Sequence, residues 1–110
     1  MKPKLEIDNY GTKRWKLPNG DLHREDGSAV EWDSGRKEWF LNGIRHRENG
    51  PAIEAMHYES WWLNGKLHRE NGPALKTNTG GKEWYLNGIK YSEEEYKKEL
   101  RFYKLKHILD

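Results

Sequence analysis

Apolar and polar residues alternate in short stretches along this chain, and two recurring patterns predict strands. Leu5 and Ile7 alternate with Glu6 and Asp8, the period of two expected of a half-buried strand. Val30, Ile53 and Leu75 hold the matching apolar position in later stretches, so a first strand recurs near Pro3, Ser28, Pro51 and Pro73. Turn residues follow it: Asn9-Tyr10-Gly11-Thr12, Asp33-Ser34-Gly35-Arg36 and Asn78-Thr79-Gly80-Gly81. The equivalent Met56-His57-Tyr58 is shorter and lacks Gly, which predicts a different turn there. The second strand is aromatic, as in Lys37-Glu38-Trp39-Phe40-Leu41 and Lys82-Glu83-Trp84-Tyr85-Leu86. Trp15, Trp39, Trp61 and Trp84 each share a face with the Leu two residues later. Lys16, Phe40, Trp62 and Tyr85 point to the other face.

Asn-Gly closes each aromatic strand, because Gly tolerates the positive φ of a tight turn. Three near-copies begin there: NGDLHREDGSAVEW at Asn19, NGIRHRENGPAIEA at Asn42 and NGKLHRENGPALKT at Asn64. A fourth starts at Asn87 and then departs. Gly20, Gly43, Gly65 and Gly88 are 23, 22 and 23 residues apart. A period of this length marks one supersecondary unit repeated along an axis. The expected fold is mainly β: four tandem antiparallel hairpins over residues 1–91, forming a twisted ribbon of about eight strands. Pro18, inserted before the first Asn-Gly, is an irregularity expected of an end unit.

The pattern changes after Tyr91. Where the other units read His-Arg-Glu, this one reads Tyr91-Ser92-Glu93-Glu94-Glu95-Tyr96. Ser92 and Glu95 have the spacing of a capping box, and Tyr91 and Tyr96 that of a hydrophobic staple. Tyr96, Leu100, Tyr103 and His107 recur at helical spacing. A helix over about 93–108 is therefore predicted. It belongs to a closing segment, 92–110, that covers the open end of the ribbon within one structural domain. Phe102, Leu105 and Leu109 form a second stripe, either packed on the sheet or available to a second copy of the chain.

Composition narrows the functional classes. Hydrophobic residues make up 34% and charged residues 35%, a balance that without the repeats would suggest disorder. Six Trp and six Tyr at regular positions restore enough buried area for order. The net charge of +2 gives no strong field drawing the chain to nucleic acid or membrane. With no Cys there is no disulfide framework and no thiolate metal site. The first residues lack the apolar run of a signal peptide, so a cytoplasmic location is expected.

Three equivalent triplets could carry chemistry: His23, His46 and His68, with Arg24, Arg47 and Arg69, and Glu25, Glu48 and Glu70. Equivalent residues two strands apart lie about 10 Å from one another. Ligands of one zinc ion must each lie ~2 Å from it, so the three His cannot share a metal. His57 and His107 lie elsewhere. Catalysis requires an asymmetric pocket with distinct roles, whereas three like units give three similar shallow grooves. No enzyme, cofactor or metal site is therefore expected. The expected role of the triplets is to maintain the fold, with each His beside a Trp and bonded to linker backbone, and with Arg and Glu pairing between neighbouring units. Arg24, Arg47 and Arg69 also form a row that could meet phosphates or carboxylates. The first candidate binding surface lies where the copies differ: the aromatic strip Phe40, Trp62 and Tyr85, with Arg45, Lys66 and Lys90 beside it. The His-Arg row is the second candidate.

The unit W-x-L-N-G-x-x-H-R-E-N-G-P-A resembles the MORN-like hairpin repeats of small tailed-phage and bacterial proteins. The ending N-G-x-x-Y-S-E-E-E with its helix is similar too, so the resemblance covers roughly residues 3–110. It implies a β-hairpin array of phage origin. MORN repeats proper carry G-x-x-H-G-x-G and some associate with phospholipid. Here Arg24, Arg47 and Arg69 follow the His instead, and lipid association is not carried over. The function expected is a non-enzymatic binding module that engages or inhibits a host macromolecule such as a defence complex, with a protein as the favoured partner, in the host cytoplasm. The alternative is nucleic-acid or nucleotide binding through the aromatic strip and the Arg row.

Overall fold

The computed structural model describes residues 2–109, without the side chain of Leu109. Its strands in chain order are β1 (Lys4–Ile7), β2 (Lys13–Lys16), β3 (Val30–Glu31), β4 (Lys37–Glu38), β5 (Phe40–Leu41), β6 (Ile44–Arg45) and β7 (Ile53–Glu54). They continue with β8 (Tyr58–Ser60), β9 (Trp62–Leu63), β10 (Lys66–Leu67), β11 (Leu75–Thr77), β12 (Lys82–Leu86) and β13 (Ile89–Tyr91), before α1 (Glu93–Leu109). The chain is mainly β, antiparallel throughout, with one C-terminal helix. Among the described residues, nine strands form one sheet in the order β1-β2-β3-β4-β7-β8-β11-β12-β13, and β5-β6 and β9-β10 form two small hairpins beside it.

About eight strands were expected, and the observed number is larger for one reason. Each aromatic strand changes partner at its Trp. The Trp39 N–H bonds forward to the Ala52 carbonyl, while the Trp39 carbonyl accepts the His46 N–H. Trp15 does the same with Ala29 and His23, and Trp61 with Ala74 and His68. The first half of the strand therefore belongs to the main sheet. The second half pairs with the residues just after Asn-Gly: Phe40 with Arg45, Trp62 with Leu67 and Tyr85 with Lys90. The starts of the His-Arg-Glu linkers are thus third strands. Tyr91, opposite Trp84, occupies the place that His holds in earlier units.

Two turn types fix the register. Asn42, Asn64 and Asn87 have φ of 51° and are followed by Gly43, Gly65 and Gly88 at +78° to +81°, giving two-residue turns whose handedness matches the strand twist. Pro18 lengthens the first of these: Leu17 and Asp21 now bracket a three-residue loop with Gly20 at its left-handed position. The opposite ends also carry three-residue loops, closed from Asp8 to Thr12, Trp32 to Arg36 and Thr77 to Gly81. Between Ala55 and Tyr58 only Met56 and His57 remain, so this loop is one residue shorter. That single deletion explains the spacing of 22 between Gly43 and Gly65.

The register also sorts the two faces of the sheet. One row reads Lys13, Glu31, Lys37, Glu54, Glu59, Lys76, Lys82 across successive strands, mostly opposite charges side by side. The other row reads Arg14, Val30, Glu38, Ile53, Ser60, Leu75, Glu83. Val30, Glu38, Ile53 and Ser60 are buried, and Leu75 is half-buried. Leu5 remains 47% exposed because β1 is an edge strand. Ala29, Ala52 and Ala74 are fully buried where successive units meet.

The helix starts as the capping box requires. Ser92 N–H donates to Glu95 Oε1 (3.0 Å), and Glu95 N–H donates to Ser92 Oγ (3.2 Å). It packs on β12 and β13, the last strands of the sheet. Tyr96 is buried, Leu100 and Tyr103 are half-buried, and His107 is exposed. Phe102 and Leu105 of the second stripe face solvent, as does Ile108 beside them, so these residues do not pack on the sheet. The Leu109 side chain lies outside the described residues. Among the described residues, no helix is long and apolar enough to cross a membrane.

Candidate functional site

The three His form one repeated bond. His23 Nδ1 accepts the Asn42 N–H at 2.8 Å, His46 Nδ1 the Asn64 N–H at 2.9 Å, and His68 Nδ1 the Asn87 N–H at 2.9 Å. An acceptor Nδ1 places the imidazole proton on Nε2. Nε2 then faces the carboxylate two residues on: Glu25 at 3.5 Å, Glu48 at 3.6 Å and Glu70 at 3.1 Å. Each His therefore ties its unit to the next Asn-Gly turn. The bond runs to that turn and not, as expected, to linker backbone.

The Arg residues follow an equally regular rule. The guanidinium carbons of Arg24, Arg47 and Arg69 lie 3.9, 3.8 and 3.7 Å from the ring centres of Trp15, Trp39 and Trp61. Their Nη1 atoms donate to the carbonyls of Ser28, Pro51 and Pro73. The expected pairing with the linker Glu does not occur, because that Glu faces the His. Arg24 and Arg47 pair with Glu31 and Glu54 at the start of the following strand, at 3.4 and 3.1 Å. In the third unit Lys76 stands at that position, and Arg69 bonds Asn71 Oδ1 instead. Burial pulls the Arg69 guanidinium below its ordinary value.

The glycines of the Asn-Gly-Pro and Asp-Gly-Ser segments, not singled out among the candidate residues, belong to the same arrangement. A Cβ on Gly27, Gly50 or Gly72 would lie 3.0, 2.8 or 3.1 Å from the guanidinium carbon of the Arg three residues earlier. Each Arg is thus held between a Trp ring and a bare stretch of backbone. The recurring R-x-x-G spacing is the signal that would have shown this.

These linkers are the walls of three similar open grooves. One, of about 460 Å³, lies between Arg24-Glu25-Asp26 and His46-Arg47-Glu48, with Trp39 and Leu41 as its floor. The next, of about 690 Å³, lies between Arg47-Glu48-Asn49 and His68-Arg69-Glu70, over Trp61 and Leu63, with Lys104 of α1 at its side. The third, of about 630 Å³, lies before the first linker, over Trp15 with Lys2 and Pro3. The helix closes this series. Tyr103 packs on His68 with ring centres 5.1 Å apart, and the Tyr96 hydroxyl donates to the Arg69 carbonyl and accepts the Gly72 N–H.

The aromatic strip lies on the opposite side and is half-buried. Arg45 bridges it, 5.0 Å from the ring centres of both Phe40 and Trp62, and its Nη2 reaches Glu38 Oε1 at 2.5 Å. Glu38 also takes Arg36, at 3.0 Å. Trp62 Nε1 donates to Ser60 Oγ, and Tyr85 donates to Glu83, whose carboxylate raises the Tyr85 hydroxyl. Lys66 and Lys90 are exposed beside it. The structure thus brings Phe40, Trp62 and Arg45 together, and it separates them from the His-Arg row. His57, in its turn, faces Asn78 across the loop ends, and His107 bonds the Tyr103 carbonyl. Among the described residues no three His, Cys, Asp or Glu side chains are grouped as metal ligands. No family model, curated protein or solved structure matches the chain.

Proposed function

We propose that this chain is a non-enzymatic binding module built of MORN-like hairpin repeats, phage-encoded by that resemblance, which engages a host protein such as a component of a defence complex. One observation supports the reading: a similar groove over a Trp recurs three times along one face, walled by a linker on either side in two cases and by one linker with Lys2 and Pro3 in the third. Arrays of like subsites suit an extended partner. The His and Arg side chains are bonded within the fold, so the groove walls are preformed and binding need not order them. The Phe40–Trp62–Tyr85 strip, with Arg45, Lys66 and Lys90, is a second contact surface in this proposal. Its residues vary between units and so can select a partner.

Affinity capture from a bacterial lysate with the intact chain tests the reading. The expected result is a host protein retained in stoichiometric amount. Retention of no protein, together with tight and steeply salt-dependent binding of nucleic acid or a nucleotide, would overturn it in favour of the phosphate-binding alternative.

A further inference from the structure

The groove floors have a spacing that identifies a ligand class. The Trp15 N–H bonds the Ala29 carbonyl, and the Ala29 N–H bonds the Glu38 carbonyl beside Trp39. Successive Trp floors are therefore two strands apart, about 9.6 Å at ~4.8 Å per strand. A polyproline II helix has three residues per turn and a rise of ~3.1 Å, so every third side chain returns to one face about 9.3 Å on. A β-strand returns to the same face every ~6.7 Å and falls out of step by the second groove. Aromatic-lined grooves are also the surfaces on which proline-rich segments dock, because such segments need little further ordering.

Charge on the rim adds a second requirement. Glu25 and Glu48 flank the middle groove at 83% and 75% side-chain exposure, and among the described residues each is paired only with an imidazole. The Arg residues beside them are far less exposed, at 25% and 28%, and are already paired with Glu31 and Glu54. The outer grooves carry Lys2 and Lys104. Glu25 and Glu48 also border the outer grooves, but only the middle groove has more acidic than basic side chains in its lining, the Trp15 groove being balanced and the Trp61 groove net basic. We propose that the three grooves form one track for a proline-rich segment in the polyproline II conformation. Apolar residues at i, i+3 and i+6 sit in the three grooves against the parts of Trp15, Trp39 and Trp61 that the stacked Arg24, Arg47 and Arg69 leave open to the groove, and a basic residue sits between Glu25 and Glu48. This rests on the protein-binding reading above and adds the class of ligand.

Fluorescence polarisation with a labelled proline-rich peptide tests the track. The peptide carries leucine at every third position and one central arginine. A control of the same composition places leucine at every second position. The matched peptide should bind roughly tenfold tighter than the control. The double variant Glu25→Lys, Glu48→Lys should weaken it by a similar factor without lowering the unfolding temperature. Should that variant fold poorly, Glu48→Gln should weaken the matched peptide and leave the control unchanged. Equal binding of the two peptides, binding of neither, or preference for a helical peptide with leucine at every seventh position would overturn the proposal. If the intact chain still captures a host protein in that case, only the ligand class is wrong. If it captures none, the protein-binding reading fails as well.

Discussion

Replacing Tyr96 with Ala is expected to lower stability by about 3–5 kcal/mol, the cost of removing a large buried side chain. Tyr96 is 4% exposed, and its hydroxyl bridges the Arg69 carbonyl and the Gly72 N–H across the last linker. A helix of 17 residues is marginal alone in water, so α1 persists through this docking. Far-ultraviolet circular dichroism should show α1 melting at lower urea than the sheet. Tyr96→Phe keeps the ring and loses only the hydroxyl bonds, about 1–2 kcal/mol. The pH response follows from the same contact. Burial raises the Tyr96 hydroxyl above the ordinary 10.0, so the folded state holds that proton more tightly than the unfolded state. Its share of stability is complete below pH 10 and is lost as pH rises through the folded value. Tyr96→Phe removes that share, and the remaining slope comes from Tyr85 and Tyr103, which are raised likewise. A Tyr96→Ala variant with full helix content and unchanged stability would show that α1 is held by something else.

The second large effect is expected at Glu38. Its carboxylate is 5% exposed, lies between Val30 and Ile53 across the sheet, and binds Arg36 and Arg45 at once. Glu38→Ala leaves two guanidinium groups facing each other beside an apolar surface. Removing one partner of a buried ion pair costs about 3–5 kcal/mol. Arg36 and Arg45 retain 39% and 28% exposure and regain part of their hydration, so about 3 kcal/mol is the expected loss. Combining Glu38→Ala with Arg45→Met should recover part of it, since no half-buried charge is then left opposite the vacated site. Urea denaturation of the single and double variants measures both values. A single variant within about 0.5 kcal/mol of the wild type would mean that the cluster is solvated.

Much of the fold was legible because several independent local signals agree. Ser92 and Glu95 announced the helix start, and the Asn-Gly pairs announced the tight turns. The two-residue gap at Met56-His57 accounts for the one short spacing. The third strands were not legible. Ile44–Arg45 and Lys66–Leu67 are too short to show a period, and they form only because each Trp bonds forward with its N–H and back with its carbonyl. Glu38 could not be recognised as buried, since a carboxylate beside Lys37 reads as solvated until Arg36 and Arg45 are seen to enclose it. The sites were legible as residues more than as roles. Both candidate rows recur or vary as the sequence suggested, but the pairing of Arg24 with Glu31 and of Arg47 with Glu54 depends on how the linker folds over its Trp.

The central claim is that the recurring His is a fastener between units and that the surfaces beside it do the binding. Urea denaturation of His46→Ala tests it most directly. The Asn64 N–H loses its acceptor, and because that turn is exposed water takes part of its place, so the cost is about 1 kcal/mol. The account predicts a loss of that size, with the folded variant still two-state. His46→Ala as stable as the wild type would contradict it and return the His-Arg row to candidacy as the ligand site.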